Sequence, residues 1–132
     1  MHRIALLVLL TIATLVAGCG PKAQVKDYIP PEEAARQALT TALDAWKAGK
    51  APDQVGASNP AVQAQDVQWS GGQKLTAYEI VGPAPTAEDQ NQRFTVKLTL
   101  GGGPPTETTY VVVGKDPIWV FSAESYQKTS GM

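Results

Sequence analysis

Histidine and cysteine are nearly absent from this chain of 132 residues: the only histidine is His2 and the only cysteine is Cys19. Histidine-based acid–base catalysis, a Ser-His-Asp arrangement, zinc sites built on His or Cys, and a disulfide framework are therefore excluded by count beyond residue 19. Aromatic residues are sparse at 7% and charged residues at 17%. No basic cluster is present, so the chain lacks the positive field that holds nucleic acid by counterion release. No apolar run reaches the roughly 20 residues of a membrane-crossing helix. The length suits one domain and a single core.

What is present begins at the N-terminus. Met1-His2-Arg3 gives a short positive start, and Ile4 to Val16 form an apolar run of 13 residues broken only by Thr11 and Thr14. That length matches a signal-peptide core rather than a bilayer span. Val16-Ala17-Gly18-Cys19 follows at once and closely resembles the lipobox of bacterial lipoproteins. The resemblance implies cleavage between Gly18 and Cys19, diacylglyceryl transfer to the Cys19 thiol, and acylation of its freed amine. Two or three acyl chains give stable anchoring where one gives marginal binding. It also implies an extracytoplasmic, lipid-anchored location. In many Gram-negative lipoproteins Asp after the cysteine favours inner-membrane retention, so Gly20 leans toward the periplasmic face of the outer membrane. Losing residues 1–18 removes Arg3 from the 11 Lys+Arg and none of the 12 acids, so the mature net charge is −2.

Four segments follow from this reading: a signal peptide over 1–18, the lipidated Cys19 with a tether over 19–30, an α+β domain over 31–125, and a fraying polar tail over 126–132. Pro30-Pro31-Glu32-Glu33 predicts a helix start, since proline suits the first turn and acids there complement the dipole. Ala35, Leu39, Ala42, Leu43 and Trp46 recur at helical spacing, and Gly49 and Pro52 stop the helix, giving a span of about 31–48. Residues 51–72 carry weaker signals: one further helical turn, a short extended piece at Val62 and Ala64, and a turn at Gly71-Gly72.

From residue 73 the period changes to 2, predicting strands over Lys74–Val81, around Phe94–Leu100, over Thr106–Gly114 and over Ile118–Ala123. The first has Thr76, Tyr78 and Ile80 on one face and Leu75, Ala77, Glu79 and Val81 on the other. The expected architecture is α+β, one N-terminal helix packed on a four-stranded antiparallel meander. Trp46, Trp69, Trp119, Phe94 and Phe121 are the large side chains available for its core.

Trp46-Lys47-Ala48-Gly49-Lys50, Trp69 with Gly71-Gly72 and Leu75, Tyr78-Glu79-Ile80 and Pro117-Ile118-Trp119-Val120-Phe121 resemble short exported domains of the cystatin-like/NTF2-like roll class, especially planctomycete-type lipoproteins. The resemblance covers about residues 31–122 and rests on structural positions. Larger members enclose a cone-shaped pocket and bind small molecules, and some are isomerases or dehydratases. A single main helix argues against a deep closed pocket here.

Candidate chemistry is thin. Glu79, flanked on its face by Leu75, Ala77 and Val81, is a candidate buried base, with Tyr78, Tyr110 and Trp69 as candidate pocket residues. The plainer reading of Glu79 is a solvent-facing strand position, and of Trp69 a core residue. Glu88-Asp89 and Asp53 are loop acids without a calcium-loop pattern, Arg93 is a charged strand entry, and Gly101-Gly102-Gly103 is not a phosphate cradle. The sequence therefore implies no cofactor, no metal and no catalytic residues. It points to a membrane-tethered, non-catalytic envelope module that binds a protein or ligand. The alternatives are a small-ligand-binding roll and an enzyme using Glu79 and a tyrosine. A concave pocket lined by Tyr78, Glu79 or Tyr110 separates these alternatives from the first reading, whereas a free strand edge favours partner binding by strand addition.

Overall fold

The structure, a computed structural model, describes residues 29–56 and 60–130. The expected signal peptide, with Gly18, Cys19 and most of the expected tether, lies outside the described residues.

Helix α1 spans Glu32–Lys47 and buries Ala35, Ala38, Leu39, Ala42, Leu43, Ala45 and Trp46 along one stripe. That is the face its apolar spacing predicts. A short 3-10 turn at Pro52–Gln54 leads to strand β1, Val62–Gln65, and then to the one-turn helix α2, Val67–Ser70. Strands β2 (Leu75–Pro83), β3 (Gln92–Leu100), β4 (Thr106–Val113) and β5 (Ile118–Ser122) follow, and helix α3 spans Ala123–Ser130.

The α+β class is as expected, but the sheet differs from the four-stranded antiparallel meander. It has five strands in the order β1-β5-β4-β3-β2. The β2–β5 part is antiparallel, while β1 lies parallel to β5 with Val62 opposite Ile118 and Gln65 opposite Phe121. The short alternation of Val62 and Ala64 is sufficient for a strand once β5 supplies its hydrogen bonds, a pairing that only tertiary contact provides.

One sheet face packs on α1 through Val62, Ala64, Phe94, Val96, Leu98, Val112, Ile118 and Val120. The other face carries α3 at its β4–β5 end, where Phe121 meets Tyr126 edge-on at 5.7 Å. Residues 126–130, expected as a fraying tail, belong to this helix. Ser122 caps it, accepting from the Ser125 amide at 3.3 Å.

The phase of β2 also differs from expectation. Register shifts fall between Leu75 and Ala77 and between Ile80 and Gly82, each a bulge that inserts one residue. The first puts Leu75 on the α1 side together with Tyr78 and Ile80, and leaves Ala77 and Glu79 on the opposite face. Val81 sits at the second bulge and is 52% exposed.

Candidate functional site

Two tryptophans organise the end of the domain where α1 stops. Trp46 lies in the last turn of α1, and the helix closes with Gly49 at φ +86°. The Gly49 amide donates to the Trp46 carbonyl at 2.9 Å and the Lys50 amide to Ala45 at 3.0 Å. This is the paired-bond Schellman ending, which needs a left-handed residue at its corner. Helix α2 ends in the same way. Gly72 at φ +93° donates to the Trp69 carbonyl at 3.1 Å, and Gln73 donates to Gln68 at 3.1 Å.

The two endings interlock. The indoles stack at 5.4 Å between centroids and 10° between planes. Trp46 Nε1 donates to the Gln73 carbonyl at 2.8 Å, and Trp69 Nε1 donates to the Lys50 carbonyl at 2.7 Å. Each ring thus ties down the loop that ends the other helix. Both are buried, at 3% and 6% exposure, and both ring N–H groups are satisfied as buried donors should be.

Asp66 starts α2. Its Oδ1 accepts from the Gln68 amide at 2.9 Å and the Trp69 amide at 3.4 Å, while its Oδ2 accepts from the Tyr110 hydroxyl. Burial, followed by the Asp66 charge, holds the Tyr110 hydroxyl far above its ordinary titration range. Tyr110 thus donates to the carboxylate that caps α2.

Between these loops opens a cleft of about 790 Å³. Trp46 and Trp69 lie at its floor, the Lys47–Pro52 segment forms one wall, and Gln73 to Thr76 form the other. Lys47, Lys50 and Lys74 are exposed on its rim, and no Asp or Glu is among its lining residues. Lys47 also complements the C-terminal end of the α1 dipole. Lys74, beyond the single turn of α2, has no such role.

Of the residues expected to share a pocket, Tyr78 and Glu79 line one shallow depression, while Trp69 and Tyr110 lie elsewhere. Trp69 is in the cleft. Tyr78 donates to Asp44 Oδ1 at 2.6 Å on α1, and burial followed by that bond raises its titration well above the ordinary value. Glu79 is exposed opposite Lys97 on the other face and, with Tyr78, lines the second depression together with Lys97, Thr99 and Glu107. Tyr110, 2% exposed, points into the core. Glu79 and Tyr110 therefore lie on opposite sides of the sheet and form no pair. The buried-base reading of Glu79 is corrected by the bulge that turns it outward.

Reading for chemistry overlooked Trp46, Asp66 and the three rim lysines. A signal was available in the Trp-x-x-Gly spacing, which occurs twice, at Trp46–Gly49 and Trp69–Gly72.

A second polar cluster pins α3 to the loop before β3. Arg93 grips Asp89 with two bonds of 2.7 and 2.9 Å, Tyr126 donates to Asp89 Oδ2 at 2.6 Å, and Asn91 Nδ2 donates to the Tyr126 hydroxyl at 3.0 Å. The Arg93 bonds, ahead of the others, hold the Asp89 carboxyl well below the ordinary carboxylate range.

Among the described residues no three His, Cys, Asp or Glu side chains gather as a metal-binding group, and no helix is long and apolar enough to cross a membrane. No family model, curated protein or solved structure matches the chain at a significant level.

Proposed function

We propose that this chain is a lipid-tethered, extracytoplasmic binding module without catalytic machinery, and that its binding surface is the cleft at the ends of α1 and α2. The single observation that carries the second half is an acid-free, lysine-rimmed cleft floored by a rigid indole pair. Rigid aromatic floors and few well-placed polar groups are the usual features of ligand sites. Against an enzyme stand the fates of the candidate groups: Tyr110 is tied to Asp66, Tyr78 to Asp44, and Glu79 faces solvent. A small-ligand-binding roll is the second reading, favoured by a cleft volume that falls within the range of small-molecule sites.

The tether rests on Val16-Ala17-Gly18-Cys19, with membrane partnership through Cys19 and an outer-membrane lean from Gly20. Fatty-acid labelling of cells tests it: wild type takes up label, Cys19→Ser takes up none, and equal label in both removes the anchor. A photo-crosslinking side chain at Gln73 tests the cleft, with the same group at Glu107 on the far sheet face as control. In native membranes a protein adduct from Gln73 alone supports the module. Equal adducts from both positions reject the cleft. Displacement of a small molecule without protein adducts favours the second reading.

A further inference from the structure

We propose that the cleft takes an acidic polypeptide segment of another envelope protein, its carboxylates among Lys47, Lys50 and Lys74 and its backbone running onto the free edge of β2. This rests on the cleft being the binding surface.

The charge follows from where the cations find partners. Arg36 pairs with Glu32, Arg93 with Asp89 and Lys128 with Glu124. Lys97 and Lys115 form no ion pair among the described residues. Lys97 faces Glu79 and Glu107 across the strands, however, and Lys115 stands next to Asp116 in sequence, so neither adds to a gathered positive charge. Lys47, Lys50 and Lys74 have no ion-pair partner among the described residues, and all three line one cleft. Asp53, on the adjoining 3-10 turn, is outside the lining. In a chain of net charge −1, such a local excess of positive charge selects an anionic occupant and steers its approach.

The polypeptide nature follows from continuity with the sheet edge. Lys74, Leu75 and Thr76 belong to the cleft wall, and Leu75 begins β2. β2 is the outermost strand, and no backbone hydrogen bond from another described segment reaches its far side. Between the two bulges Ala77–Ile80 remain in regular register. An incoming strand can complement those amides and carbonyls, which a compact anion cannot. Location agrees with this occupant. The proposed tether enters at the start of α1, and the cleft lies at its other end. That is about 24 Å along a helix of 16 residues.

The test uses the full lipidated protein in detergent micelles and a short synthetic peptide alternating Glu with Val. Titration calorimetry gives affinity, and amide hydrogen exchange reads protection at residues 74–80. The expected result is binding with slowed exchange there, weakening as salt rises from about 50 to 500 mM. Lys47→Gln, Lys50→Gln and Lys74→Gln each weaken binding by about two- to fivefold. The proposal is overturned if a Gln-for-Glu peptide binds equally, if a backbone N-methylated Glu peptide binds equally, or if no peptide binds. Equal protection by citrate or by phosphatidylglycerol vesicles also overturns it. Crosslinks at Gln73 in native membranes that persist when the glutamate peptide fails leave the cleft standing and remove only its acidic occupant.

Discussion

Burial of Asp66 at 3% exposure is tolerable only because both carboxylate oxygens have partners. One caps α2 and the other receives the Tyr110 hydroxyl, so losing either partner strands a charge in a low-dielectric site. Tyr110→Phe keeps the ring and its packing but removes the donor. The expected cost is about 1–3 kcal/mol, read as a lower urea midpoint with an unchanged slope. An unchanged midpoint would mean that water reaches Asp66 in place of the hydroxyl. At the same scale, Glu79 illustrates what strand alternation conceals. Counting by twos from Leu75 places Glu79 inward, but one inserted residue reverses the phase, and a bulge leaves no composition signal in Leu-Thr-Ala-Tyr-Glu.

At the scale of elements, the two helix endings behave as one unit because each indole bonds to the other's loop. Trp46→Ala or Trp69→Ala each costs about 3–5 kcal/mol. The double variant costs less than their sum, by a coupling of about 0.5–1.5 kcal/mol. Denaturation of the three variants measures this, and strict additivity would mean that the rings act separately. Helix α3 has its own fastening at Asp89. Because the folded value of that carboxyl lies below the ordinary one, its contribution is present above the ordinary carboxylate range and is lost as pH falls below about 4. Asp89→Asn therefore shows a shallower loss of stability between about pH 4 and 2 than wild type. Thermal melts across that range decide the point.

Legibility at this scale tracks the range of the forces involved. α1 and β3 to β5 were readable because their burial repeats locally, as with Leu39, Leu43 and Trp46 or Phe94, Val96 and Leu98. α3 carries no apolar stripe and depends on Tyr126 reaching Asp89, far off in sequence. Its one local cue is Ser122 ahead of Ala123-Glu124, a capping pattern. The cleft was half legible: Trp69 stood out, while Trp46 read as ordinary core and the lysines as ordinary surface. Only the fold brings the two Trp-x-x-Gly segments face to face.

For the molecule as a whole, both sheet faces are partly covered, by α1 on one side and α3 on the other, and the two ends of the sheet differ. β1 is an edge strand of four residues, with Gln65 receiving the Thr129 hydroxyl, whereas β2, the other edge, runs for nine. The asymmetry puts the longer free edge next to the cleft. The parallel pairing of Val62 with Ile118 carries a further consequence for timing. β1 has no neighbour in the sheet other than β5, the last strand to appear, so closing it spans most of the fold and incurs the entropy of a long loop. Without β5, strand β1 has no partner to set its register. Of all the pairings in the sheet, the β1–β5 contact therefore carries the greatest closure entropy.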